Sequence, residues 1–352
     1  MRTKTKEKKT VKWKKSDVLA LMVGHGRSLD GSWDSGCVYG NYTEAGLMLP
    51  IVKRAVKWLR KSGVKVITDA DDANNRNMIA SVQWANNKGA RLYMSVHCDY
   101  KEAPAGVAPL YKTEKDKAFA NAVGKSVAKT MKMKYRGVFH RLDLYELNAT
   151  KMTACIFETG SIKRDLKKLK NYKKYGKALA KAICSYIGVP IYVSKNVMIR
   201  RKVRAVLAKM KALKFKYRVS GNAMSWAGAK KQKTSNCSRM ISYALQVAKI
   251  LKPGQVFWLN GDKVVCKGTG TKKALLASYR VLHPHKTPKK CGLKKGDICG
   301  YSNNAHTQMF AGWDSLGRPR WYSYGPNDVG KKQPRHKPSY DKKKIETILR
   351  LK

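Results

Sequence analysis

At 352 residues and 43% hydrophobic content, the sequence is too long for one small core and too apolar for a disordered chain, so two globular domains are expected. Its 75 Lys and Arg against 22 Asp and Glu give a formal charge of +53, which implies a polyanionic partner, either nucleic acid or an anionic cell-wall polymer. The basic residues are spread along the whole chain with no zinc-finger, basic-zipper or RNP-type signature, which argues against specific nucleic-acid recognition, and no apolar run approaches the roughly 18 residues of a membrane span.

Residues 1–16, MRTKTKEKKTVKWKKS, read as a solvated basic arm. The apolar run VLALMV (18–23) then stops at Gly24, too soon for the core of a signal peptide, so the chain is expected to be made in the cytoplasm without one. This run reads instead as a buried strand, as do VKVIT (64–68), RLYMSV (91–96) and TACIF (153–157). Helical patterns separate them, among them EAGLMLPIVKRAVKWLRKSG and DKAFANAVGKSVAKTMK, and KKYGKALAKAICSYIGV closes the series at Gly188. Strands alternating with helices predict an α/β domain over 17–190, a three-layer α/β/α arrangement with a mostly parallel sheet.

Residues 191–216 carry almost no acid and mix lysine with apolar residues at helical spacing, so the domain junction is placed there as a basic linker or helix. Beyond it, 217–352 opens with a helix from about 236 to 251 and continues in short strands and turns rich in Gly, Asn, Asp and Pro, which predicts a smaller α+β domain. The eight cysteines lack regular spacing and contain no C-x-x-C pair, so they are read as mostly reduced, and a metal site joining Cys266, Cys291 and Cys299 to His283 and His285 is not favoured.

In a parallel sheet, ligands gather beyond the carboxyl ends of the strands. His25 follows VLALMVG, His97 follows RLYMSV, Glu158 follows TACIF, and Glu44 opens the helix after the first glycine-rich loop. Two histidines with one carboxylate form a frequent open zinc set, which leaves the other carboxylate free to act as a base. A lone histidine in a Gly-His-Gly turn is more often structural, and a glutamate at a helix start more often pairs with the helix dipole. The combination is what carries weight.

With these residues in view, 17–190 resembles the zinc-dependent N-acetylmuramoyl-L-alanine amidases. The matching pieces are VGHG (23–26), YTEAGLMLPIVKRAVKWLRKSGVKVITDADD (42–72) with Arg76, SVHCD (95–99) and IFETGS (156–161). The resemblance implies zinc on His25, Glu44 and His97, with Glu158 taking the proton of the attacking water and returning it to the leaving amine. Met22 and Val23 stand where the family usually has Asp-Pro, and Thr159 to Ile162 replace its usual Gly-Phe and Asn, changes expected to touch substrate fit more than metal chemistry.

In the second domain, TSNCSRMISYALQ (234–246) puts Cys237 in the first turn of an amphipathic helix, where dipole and free amides are expected to depress the thiol pKa. His306 begins the strand HTQMFAG. SWAG, NCSRMISYAL and LKKGDI resemble the NlpC-type, papain-like cysteine peptidases of cell walls over about 217–330. That resemblance implies Cys237 as nucleophile, His306 as its base, and an orienting third residue near WYSYGPND, with Ser323 first and Asn327 second. Arg239 and Asn236 depart from the motif's glycine and aspartate.

Together the two resemblances imply an endolysin-like hydrolase of peptidoglycan, zinc amidase first and cysteine endopeptidase second, acting at the bacterial cell wall. No known wall-binding repeat is present, and the lysine field is expected to hold the chain to anionic wall polymers. Two alternatives stay open: a single-headed amidase whose second domain only binds the wall, and a basic nucleic-acid-binding protein.

Overall fold

The computed structural model describes residues 12–71, 77–301, 304–331 and 333–352; Arg76 and residues 1–11 of the basic arm lie outside them. The chain divides into two compact units, Met1–Tyr192 and Val193–Lys352.

The first unit is built on six strands: β1 (Val18–Val23), β2 (Lys65–Ile67), β3 (Leu92–Asp99), β4 (Ala108–Tyr111), β5 (Phe139–His140) and β6 (Thr153–Ser161). They pair in the order β2-β1-β3-β6-β4-β5. The pairs β1 with β2, β1 with β3 and β6 with β3 are parallel, and β4 runs antiparallel to β6. Strand periodicity explains the three layers. Leu19, Leu21 and Val23 share one core with Leu92, Met94, Val96 and Phe157, while Ala20 and Met22 share another with Tyr93, Ala154 and Ile156. The first core is covered by helices α1 (Glu44–Lys61), α3 (Glu114–Met131) and α5 (Tyr172–Tyr186), the second by α2 (Met78–Asn87) and α4 (Tyr145–Ala149).

Local chemistry sets the starts of the helices. Thr43 caps α1 by accepting from the Gly46 amide, and Thr113 and Asp116 form a reciprocal capping box at α3. All four predicted strands and the three predicted helices are present, so the α/β expectation holds. β4, β5, α2 and α4 are additional.

The second unit has a hairpin, β7 (Val256–Asn260) with β8 (Lys263–Lys267), and an antiparallel sheet ordered β9-β14-β10-β11-β12-β13. These strands are β9 (Tyr279–Leu282), β10 (Ile298–Tyr301), β11 (Asn304–Trp313), β12 (Pro319–Tyr322), β13 (Arg335–His336) and β14 (Ile345–Leu351). Helix α7 (Cys237–Val247) buries Ile241 and Leu245 against Ile298, Met309 and Leu349. Most of the segment read as a basic linker or helix forms helix α6 (Lys195–Ala212), whose Ile199, Val203, Val206 and Met210 lie in this same core. Among the described residues no helix is long and apolar enough to cross a membrane.

Candidate active sites

The first site sits at the carboxyl ends of β1, β3 and β6. Ligand atoms of His25, Glu44 and His97 lie within 4.8 Å of one another. His97 is the sixth residue of β3, and Glu158, the sixth of β6, stands beside it in register. Glu44, the first residue of α1, is buried, with Oε1 accepting from the Cys98 amide (2.9 Å) and Oε2 from the Cys37 amide (3.1 Å). Its carboxylate faces His97 Nδ1 at 3.1 Å and His25 Nε2 at 3.4 Å.

Two glycines make room for this convergence. A Cβ on Gly24 would fall 2.4 Å from His97 Nδ1, and one on Gly36 would fall 2.6 Å from His25 Cδ2 and 2.7 Å from Glu44 Oε2. The donor set therefore fits a small borderline cation such as zinc: two imidazoles and one carboxylate meet in a space that even a methyl group would close.

Two carboxylates that the sequence reading missed stand behind the imidazoles. His25 Nδ1 hydrogen-bonds Asp34 Oδ2 at 2.6 Å. His97 Nε2 faces Glu146 Oε2 at 3.5 Å. Glu146 is buried on α4, where it accepts from Tyr93 Oη at 2.6 Å and Ser95 Oγ at 3.1 Å. A cavity of about 570 Å3, lined in part by His25, Asp34, Asn77, Met78, His97 and Glu146, opens beside the cluster.

Charge is strongly polarised here. Burial alone would raise the Glu44 pKa, but His97 and His25 outweigh it and hold the carboxyl at about 2. Burial likewise opposes the charged forms of His97 and Glu146, yet each favours the other's ionisation, so the His97 pKa is raised and that of Glu146 lowered. For Glu158, His97 and Arg136 offset only part of the cost of burial. Burial pushes its carboxyl up to about 8, Glu44 and Asp99 add to the shift, and its Oε2 is buried without a hydrogen-bond partner.

Cys37, Glu44 and Cys98 form a second cluster of donor atoms. The hydrogen bond with Cys37 and then burial push the Cys98 thiol far up, away from the thiolate that a metal needs.

In the second unit, Cys237 lies at the start of α7, capped by Asn236, whose side chain accepts from the Arg239 amide. Its Sγ accepts from the Thr307 amide at 3.5 Å, which fixes it beside the start of β11. His306, the neighbour of Thr307, is buried, with Nε2 hydrogen-bonded to Ser323 Oγ at 3.1 Å. Ser323 Oγ in turn donates to Asp328 Oδ2 at 3.0 Å, and Lys337 Nζ reaches both groups, at 3.1 and 2.7 Å. The structure thus brings His306 and Ser323 together. Asp328 stands behind them, inside the stretch the sequence reading had marked, while Asn327 contributes its backbone carbonyl to Arg335.

One expectation is corrected. The Cys237 thiol is not depressed: burial pushes it up, more than the amides of Thr307 and Ser238 pull it down. Burial, with Lys337 adding to it, also lowers His306 to about 4, so its imidazole is neutral near neutral pH. His283 and His285 face Asp262 and Glu346, and among the described residues none of Cys266, Cys291 and Cys299 joins them in a donor cluster.

Comparison with known proteins follows the same division. Residues 19–188 match the family described as N-acetylmuramoyl-L-alanine amidase. An uncharacterized 38.4 kDa protein of Clostridium perfringens is 29% identical over 153 residues, which cover 40% of this chain and 45% of that protein, less than half its length. The catalytic domain of the N-acetylmuramoyl-L-alanine amidase CwlV from Bacillus (Paenibacillus) polymyxa var. colistinus is 22% identical with a TM-score of 0.45, covering 49% of this chain and 99% of that one. The amidase AmiC2 of Nostoc punctiforme is 23% identical with a TM-score of 0.45, covering 49% and 98%. The catalytic domain of an endolysin targeting Clostridia difficile is 21% identical with a TM-score of 0.42, covering 48% and 97%.

Proposed function

We propose that the first unit is a zinc-dependent N-acetylmuramoyl-L-alanine amidase that cuts the amide between the muramoyl lactyl group and L-alanine in peptidoglycan, in the manner of an endolysin. The observation that carries this reading is the convergence of His25, Glu44 and His97 beside Glu158, whose Oε2 is buried without a hydrogen-bond partner among the described residues. The match of residues 19–188 to the amidase family agrees with it.

His25, Glu44 and His97 would hold the metal, and a zinc ion bound there would supply Lewis acidity for activating water and polarising the scissile carbonyl. Glu158 moves the proton, accepting it from water and returning it to the leaving amine. Its carboxyl, raised to about 8, is matched to a group that must both take and give a proton near neutrality. The cavity of about 570 Å3 beside His25 and His97 is where the substrate amide would enter. Asp34 holds His25 with its Nε2 turned toward Glu44. The test is whether chelation removes amidase activity and zinc restores it.

A second reading concerns the second unit, as a cysteine peptidase acting on the stem peptide. It rests on Cys237 being fixed by the Thr307 amide next to a histidine that is oriented by Ser323 and Asp328. A neutral His306 can take the Cys237 proton during attack, which fits a thiol that is not ionised at rest. Cys237→Ala should leave the amidase products and abolish cuts within the stem peptide. If no such cuts occur with the intact chain, the unit is a binding module and the enzyme has one head.

A further inference from the structure

We infer that Glu146 is a positioning residue for the metal site: its carboxylate faces the Nε2–H of His97 as acceptor, keeps the proton on that nitrogen, and so turns the Nδ1 lone pair toward the place where His25 and Glu44 converge. The inference rests on the metal reading above and adds to it a residue on a different element, the five-residue helix α4.

The argument begins with what His97 can do. Its Nδ1 lies 3.1 Å from Glu44 Oε1, inside the cluster, so this is the nitrogen available to a cation shared with Glu44. A neutral imidazole presents one lone pair, and the other nitrogen must then carry the proton. That nitrogen, Nε2, is buried and makes no regular hydrogen bond among the described residues, but it faces Glu146 Oε2 at 3.5 Å. The alternative tautomer would set the Nε2 lone pair against a carboxylate, which is repulsive.

Glu146 in turn has little freedom. Tyr93 Oη donates to Oε1 at 2.6 Å and Ser95 Oγ to Oε2 at 3.1 Å, and both donors come from β3, the strand that carries His97. Tyr93, Ser95 and His97 alternate along that strand, so all three reach the face on which α4 packs. The carboxylate is therefore held by the same strand as the imidazole it orients, and the two keep their spacing whatever the loops do.

Both imidazoles of the cluster then have a carboxylate behind the nitrogen that does not point inward, Asp34 behind His25 and Glu146 behind His97. Such partners fix the ring and raise its basicity toward a metal, and losing one typically weakens metal affinity by about 10- to 100-fold. Asp34 is half-exposed, whereas Glu146 is buried, so the His97 side is the less screened of the two.

The experiment measures zinc affinity of the full chain by competition with a chromophoric chelator, for the wild type, Glu146→Gln and Glu146→Leu. In parallel, the zinc-loaded proteins are examined by NMR for the Nε2 proton of His97 and its exchange with water. The expected result is a loss of affinity of about 10- to 100-fold in Glu146→Leu, with a fast-exchanging or undetected Nε2 proton. Glu146→Gln, whose amide oxygen still accepts, should keep the protected proton and lose less affinity. If Glu146→Leu does not fold, the near-isosteric Gln variant still decides, since loss of charge alone should weaken binding several-fold. Zinc affinity within twofold of wild type in the variants, or an equally protected His97 proton in Glu146→Leu, overturns the assignment of Glu146 while leaving the metal site standing. A wild type that takes up no zinc overturns the metal reading and this one with it.

Discussion

Glu158 and His97 occupy matching positions on neighbouring parallel strands, β6 and β3. Strand ends hold side chains more firmly than loops do, so the group proposed to move the proton is fixed relative to the imidazole proposed to bind metal, without being part of the donor cluster. Their roles should therefore separate on mutation. His97→Ala should lose the metal. Glu158→Gln should keep about one zinc per chain while turnover falls by about 10²- to 10⁴-fold. Metal analysis and rate measurement on both variants check this, and full metal retention in His97→Ala would remove it from the ligand set.

Gly36 tests the space around the donors. Gly36 and Gly40 both have left-handed backbone, at φ +65° and +55°, so alanine at either position costs about 1–2 kcal/mol in strain. A Cβ on Gly40 meets nothing within 4 Å, whereas on Gly36 it runs into His25 and Glu44. Both variants should unfold a few degrees earlier, but only Gly36→Ala should lose zinc. Equal zinc uptake by the two would mean that the cluster is looser than its geometry implies.

Stability of the second unit should depend on pH through His306. Burial, with Lys337 adding to it, lowers this imidazole to about 4, below its ordinary value of 6.5. Between these two values the unfolded chain binds more protons than the folded one. The contribution of neutral His306 is thus fully present above about pH 6.5 and is lost as the pH falls toward about 4, with a magnitude of roughly 3 kcal/mol. Denaturant unfolding of wild type and His306→Gln across this range should show the variant losing less stability on acidification. Parallel curves would show that His306 is not held neutral.

The formal charge of +53 carries its own test. If the lysine field gathers anionic wall polymers, binding to intact cell walls should weaken steeply from low to physiological salt, while cleavage of a small soluble muropeptide should change little. Equal sensitivity of both would place the electrostatic effect in the active sites instead.

What could be read from the sequence follows from periodicity and from strand ends. VLALMV, RLYMSV and TACIF are continuous apolar runs because their strands are buried on both faces, and that made the parallel sheet readable together with His25, His97 and Glu158 at its edge. Asp34 and Glu146 were not visible in this way. Asp34 lies on a two-residue strand, Trp33–Asp34, too short to show a period, and α4 is too short at five residues to show a helical one, so only the fold reveals that Glu146 meets Tyr93, Ser95 and His97. The same limit explains the Cys237 thiol. Its place at a helix start was legible, but the burial that outweighs the helix amides comes from the packing around α7 and β11.

The most direct test of the central claim is mass spectrometry of the products that the purified chain releases from sacculi. The account predicts peptides with a free L-alanine amine and glycan with a free lactyl carboxyl, both abolished by a chelator, restored by zinc and absent with Glu158→Gln. Products in which every muramoyl to L-alanine bond is intact, formed equally with and without chelator, would contradict it.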